Sequence, residues 1–217
     1  GLLNLGTRRS LYIMCLHPYP TPERTIMTTA PIELRHAPGP FTAEQIRDGD
    51  PYELDNGHPI HCLPSGGRHA EANIVGGLAL GCDPDVQEAG FDAGYSIGPN
   101  DLRAPDIAVG NVPNQSGWIA GVPPLAVEYA DRGQNEQELQ AKIQDFLAAG
   151  TQQVWVVRLQ GHARVEVYEP GRPLCIRGPE EYLHAPGILR NPVPVKALYD
   201  PAAAFDTALK NLLQRKG

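Results

Sequence analysis

The sequence predicts an α/β fold, a mixed β-sheet core flanked by helices. Three observations predict it. Segments such as "PPLAVEYA" (123–130) and "QQVWVVRL" (152–159) have the length and apolar content of buried strands. "NEQELQAKIQDFLAAG" (135–150) instead spaces its apolar residues three and four apart, the period of a helix packed on one face. The two kinds of segment interleave along the chain, as they do when helices cover a sheet.

Each element has its own local reason. Thr42, with Gln45 three residues on, is an N-cap signal for a short helix. "YEL" and "HPIHCL" flank Asn56-Gly57, a strong hairpin-turn pair. Ala72, Val75, Leu78, Ala79 and Cys82 recur at helical spacing and predict a helix at about 67–80, in which Gly76-Gly77 implies close packing. A strand is expected near Phe91–Ile97, then a turn at "GPND", a strand over 104–110 and a glycine-rich loop at 111–123. After the strand at 124–130 comes a helix with Asn135 as N-cap and Gly150 as its stop, carrying the stripe Leu139, Ile143, Phe146 and Leu147. "QQVWVVRL" and "ARVEVYEPG" give two more strands, and "DPAAAFDTALKNLLQRKG" closes the chain as a helix. Residues 1–40 are rich in proline and form an N-terminal extension, within which Met27 is a candidate internal start; residues 41–217 form a single domain.

Composition bounds the function. The 217 residues suffice for one sizeable core. The formal net charge of -7 gives no overall basic field toward nucleic acid or an anionic membrane, so any contact with nucleic acid must use a local patch. The scattered Cys15, Cys62, Cys82 and Cys175 form no zinc spacing, and read as reduced thiols of a cytoplasmic protein. No apolar run is long enough for a membrane span.

Two strand carboxylates stand out. Asp106 interrupts "RAPDIAVGN" and Glu128 interrupts "PPLAVEYADRG". A buried carboxylate without a partner is costly, so each needs one. Their neighbours along the strands, Ala108, Ala126 and Ala130, are small and leave room for an ion with its waters. Magnesium suits such a place, since it takes oxygen ligands and commonly uses only one or two carboxylates. On the following helix Lys142 lies about 60° from Leu139 and about 100° from Ile143, at the margin of the buried stripe. A lysine there can reach past the packing face to the sheet edge.

Taken in order, "PYELDNG…RH", "LRAPDIAV", "LAVEYADRG", "KIQDFLAAGTQQVWVV" and "VEVYEPG" resemble a large bacterial family of restriction-endonuclease-like proteins in the PD-(D/E)XK nuclease superfamily. The resemblance covers roughly residues 40–190 and implies a restriction-endonuclease-like core. It implies that Pro105-Asp106 stands for the superfamily's PD and Glu128 for its second acid. The superfamily lysine would fall at position 130, where this chain has alanine; Lys142 is the matching position on the following helix. Glu53, His69 and Glu71 match further polar positions that extend the site.

The function these implications describe is metal-dependent hydrolysis of DNA phosphodiester bonds. Asp106 and Glu128 would hold Mg²⁺ or Mn²⁺, and Lys142 would complete the catalytic set. Arg68, Arg103 and Arg132 are the candidate contacts to DNA phosphate. A homodimer is expected, because the N-terminal extension would pack on another subunit and duplex DNA is twofold symmetric. The alternatives are a catalytically silent module of the same fold, binding DNA or protein, and a small-molecule phosphohydrolase.

Overall fold

The computed structural model describes residues 39–215. All but the last two residues of the N-terminal extension lie outside that range, and with them the packing surface from which a homodimer was expected.

A single 3-10 turn, Ala43–Gln45, stands where a short helix was expected; the Gln45 side chain accepts from the Thr42 N–H at 2.8 Å. The hairpin follows as β1 (Tyr52–Asp55) and β2 (His58–His61). At its turn Asn56 has φ 49 and Gly57 φ 79, the paired positive angles that an Asn-Gly hairpin turn requires. Then come α1 (Gly67–Gly81), β3 (Ala89–Phe91), β4 (Tyr95–Gly98), β5 (Asp101–Arg103), β6 (Ile107–Val109), β7 (Ile119–Ala120) and β8 (Leu125–Ala130). The second half holds α2 (Glu136–Ala149), β9 (Gln153–Arg158), β10 (Arg164–Tyr168), β11 (Cys175–Arg177), β12 (Tyr182–Leu183), β13 (Val193–Pro194) and α3 (Pro201–Arg215).

The strands do not form the one sheet that the element order suggested. The larger sheet runs β11-β10-β9-β8-β6-β3 and a second runs β2-β1-β5-β4-β7, with β12 and β13 as a separate pair. One expected strand is divided between the sheets, and another is shortened. The segment near Phe91–Ile97 breaks at Asp92, where φ is 49, so β3 joins one sheet and β4 the other. The strand expected over 104–110 starts only at Ile107. Pro105 has no N–H to give a ladder, and residues 101–103 pair in the other sheet.

Both faces of the larger sheet are covered, which is why β8 is buried along its whole length. One face carries Ile107, Val127, Tyr129, Trp155 and Val157 and packs on Ala72, Val75 and Ala79 of α1 and Ala204 of α3. The other carries Ala108, Ala126, Ala130, Val154 and Val156 and meets Leu139, Ile143 and Phe146 of α2. Asn135 caps α2, accepting from the Gln137 and Glu138 N–H groups at 3.1 and 3.3 Å; Gly150, at φ 113, ends it. These two ends fix where α2 lies over the sheet, and so where Lys142 points.

Candidate active site

The site begins with strand register. β6 and β8 are antiparallel, with Ile107 opposite Val127 and Ala108 opposite Ala126. Carried one residue further, this register sets Asp106 opposite Glu128. Directly opposed residues share a face, and this is the face covered by α2. The small residues beside them on that face, Ala108, Ala126 and Ala130, leave the α2 side open to longer side chains.

Lys142 fills part of that space. Its Nζ lies 3.0 Å from Glu128 Oε1 and 3.3 Å from Oε2, and 3.0 Å from Glu53 Oε1 on β1. The closer Glu128 oxygen is not in hydrogen-bonding alignment with the ammonium, so Oε1 is buried without a hydrogen-bond partner. Asp106 is held differently. Its Oδ2 accepts from the Tyr129 backbone N–H at 2.6 Å, and His69 Nε2 lies 3.1 Å from Oδ1. His69 is on α1, across the sheet from Lys142. Asp106 precedes β6, at the sheet's end, where both helix layers can reach it.

Behind Glu53 sits Arg103, on β5, only 1% exposed. Its Nε and Nη2 donate to Asp145 Oδ2 at 2.8 and 2.5 Å, and its guanidinium lies 3.6 Å from Glu53 and 3.4 Å from Asp55. The second sheet thus contributes Glu53 and its counter-ion to a site whose acids stand on the first. The side chains line a cleft of about 230 Å³, with His61, Cys62 and Ser65 at its rim; a neighbouring cleft shares Glu53, Asp106 and Lys142 and adds Asp48, Asp50 and Asp92.

The electrostatics are unbalanced. Burial pushes the Glu128 carboxyl up to about 8; Lys142 opposes the rise, while Asp106 and Glu53 add to it. Burial also works against the Lys142 ammonium, but Glu128, Glu53 and Asp106 outweigh it and raise the pKa above the usual lysine value. One ammonium therefore serves several carboxylates. A proton or a further cation must relieve the excess negative charge. The hydrogen bond to Asp106 raises the His69 pKa against the effect of burial, and desolvation together with Asp106 raises that of Asp92.

The sequence-derived residues thus divide. Asp106, Glu128, Lys142, Glu53 and His69 come together in one cleft. Glu71, two residues beyond His69 on α1, points to another side of the helix and is exposed. Arg103 was expected to meet DNA phosphate; buried among three carboxylates, it is an internal counter-ion instead. Arg68 is exposed and paired with Asp131 at 2.9 Å, and Arg132 is exposed. Sequence reasoning missed Asp55 and Asp145, the partners of Arg103. Asp145 carried one usable signal: it lies three residues after Lys142 and so shares its helix face.

Among the described residues no group of three or more His, Cys, Asp or Glu side chains converges closely enough to hold a metal ion. The donors present nevertheless suit a hard divalent cation. Glu128 offers a buried oxygen without a hydrogen-bond partner, Asp106 stands opposite it on the same face, and a magnesium-type ion commonly takes two carboxylates while keeping its waters.

A mixed α/β core with Asp106 just before one strand, opposite Glu128 on its neighbour, fits the restriction-endonuclease-like class. The chain belongs to the Uma2 family, described as "Putative restriction endonuclease", whose model matches residues 41–192. A crystal structure described as "a putative nuclease belonging to DUF820", from Anabaena variabilis, is similar at 19% identity, with a TM-score of 0.63 over 76% of this chain and 99% of that one. At that identity the likeness shows the fold. No curated protein matches the chain. No helix among the described residues is long and apolar enough to cross a membrane.

Proposed function

We propose that the chain is a divalent-metal-dependent endonuclease that hydrolyses DNA phosphodiester bonds, with residues 41–217 as its single catalytic domain. One observation carries the reading: strand register opposes Asp106 and Glu128 while Lys142 from α2 brings its ammonium to 3.0 Å from Glu128. Family membership supports nuclease chemistry. Asp106 and Glu128 would hold the cation. Bound there, Mg²⁺ or Mn²⁺ would supply Lewis acidity at the scissile phosphate. Lys142 adds positive charge beside the phosphate as negative charge builds in the transition state, and orients the attacking water. It takes this part from a helix, since the position two residues after Glu128 is Ala130. His69 fixes one Asp106 oxygen, and Glu53 fixes the Lys142 amine. Arg68 and Arg132 remain the surface candidates for phosphate backbone contact. A homodimer belongs to the same reading.

A catalytically silent module of this fold is the second reading. The observation that favours it is that both Asp106 oxygens are already engaged, by His69 and by the Tyr129 amide. Incubating supercoiled plasmid and single-stranded DNA with and without Mn²⁺, beside a Glu128→Ala control, separates the two. Cation-dependent cleavage that disappears in the variant is the expected result. No cleavage with any divalent cation, from a protein that still binds Mn²⁺, would leave the silent module.

A further inference from the structure

The C-terminal helix α3 buries Ala204, Thr207, Ala208 and Asn211 against the rest of the domain. Its opposite side should then be polar. Instead Phe205, Leu209 and Leu213 are 60%, 59% and 63% exposed, and Leu212 is exposed beside them. The spacing i, i+4, i+7, i+8 makes them one stripe along the helix. Ile74 of α1, the helix packed against α3, is exposed as well. Together these side chains bare on the order of 500 Å² of apolar surface, more than a typical scattered set and close to one side of a small stable interface. The helix lies beyond residues 41–192, so all of this surface except Ile74 is outside the segment matched by the family model.

We infer that this stripe is the contact between two copies of the chain, packed antiparallel through α3 about a twofold axis near residue 208. Two observations select a second copy. The first is charge. Asp206 and Lys210 lie along one flank of the stripe, an ion pair at 2.6 Å within the helix. In an antiparallel pair like flank meets like flank, so Asp206 faces Lys210 of the partner subunit, and the reverse. The second is area. Doubling the stripe gives about 1,000 Å², the lower bound for a specific interface. The same axis places Phe205 of the partner subunit beside Leu212, next to an apolar cleft of about 380 Å³ lined by Ile74, Leu78, Phe91 and Arg215. The cleft gives that ring somewhere to seat. The homodimer expected from sequence rested on the N-terminal extension and on the symmetry of duplex DNA; α3 supplies a surface among the described residues.

Sedimentation equilibrium on the full chain tests the assignment. The wild type is expected to be a dimer at micromolar concentration, and Leu209→Asp to weaken dimerisation by about 100-fold or more with unchanged circular dichroism and melting temperature. Asp206→Lys should also weaken it, and adding Lys210→Asp should restore it, because the swapped charges again meet across the axis. A wild type that stays monomeric up to about 100 µM overturns the proposal. So does a dimer indifferent to Leu209→Asp, which must use another face. So too does a dimer that forms only once residues 1–38 are deleted, since the stripe would then be covered from within the chain.

Discussion

Glu128 is the residue under most electrostatic tension. It is 6% exposed, has one oxygen without a hydrogen bond, and shares its only ammonium with Glu53. Its folded-state pKa of about 8 stands above the ordinary 4.5. Below the ordinary value both folded and unfolded states hold the proton, and the group does not penalise folding. As pH rises from there to about 8, the unfolded chain ionises first, so stability is lost; above 8 the loss is complete. In chelator, Glu128→Gln should therefore gain in melting temperature relative to wild type as pH rises through that window, and the gain should level off above it. A difference that stays constant with pH would contradict the burial argument. Saturating Mn²⁺ at neutral pH should raise the wild-type melting temperature by several degrees and move Glu128→Ala much less, as thermal denaturation will show. The single residues were partly legible in the sequence. Asp106 and Glu128 announced themselves as charges inside apolar strands. Arg103 did not, because its partners Glu53 and Asp145 lie 50 and 42 residues away and no local pattern joins them.

Among the elements, helices were the legible part. A 3.6-residue period over 14 or 15 residues leaves little room for another reading, and α1, α2 and α3 lie where periodicity puts them. Strands of two or three residues carry no such period. Pairing partners and backbone breaks decide them, which is why β5, β7, β11, β12 and β13 went unread and the segment around Asp92 was not seen to split between sheets. The way elements lock together gives two predictions. Arg103 joins β5 to β1 and α2 through Glu53, Asp55 and Asp145. Arg103→Met would leave Asp55 and Asp145 without a counter-ion and Glu53 with Lys142 alone, and should cost about 3–5 kcal/mol, measured by urea denaturation. An effect below about 1 kcal/mol would reduce the network to a surface-type ion pair. In α1, a Cβ on Gly76 would lie 2.0 Å from the Tyr129 hydroxyl, which donates to the Leu198 carbonyl at 2.7 Å. Helix propensity favours alanine there by about 1 kcal/mol, but the clash must displace a buried tyrosine, and overpacking costs about 1–3 kcal/mol. Gly76→Ala should thus destabilise in the same assay, and a more stable variant would refute the close approach.

On the scale of the whole molecule, two sheets meet at one cleft. The larger sheet supplies the opposed acids, the smaller supplies Glu53 and Arg103, and α2 delivers Lys142 between them. The sequence showed that the chain was α/β and marked the acids. It did not show that a second sheet completes the site, because that depends on where β4 and β5 turn away from β3 and β6. The net charge of -7 sets the terms for any DNA substrate. Among the described residues few basic side chains lack an acidic partner and are free to neutralise phosphate, so cleavage should depend on salt more weakly than in a protein with a broad basic face. The most direct test of the Asp106–Glu128 site is anomalous diffraction from a crystal soaked in Mn²⁺. A manganese peak should lie between the two carboxylates, about 2.2 Å from an oxygen of each, and vanish in Glu128→Ala. A cleft empty of manganese in a protein that still cleaves DNA with Mn²⁺ would contradict it.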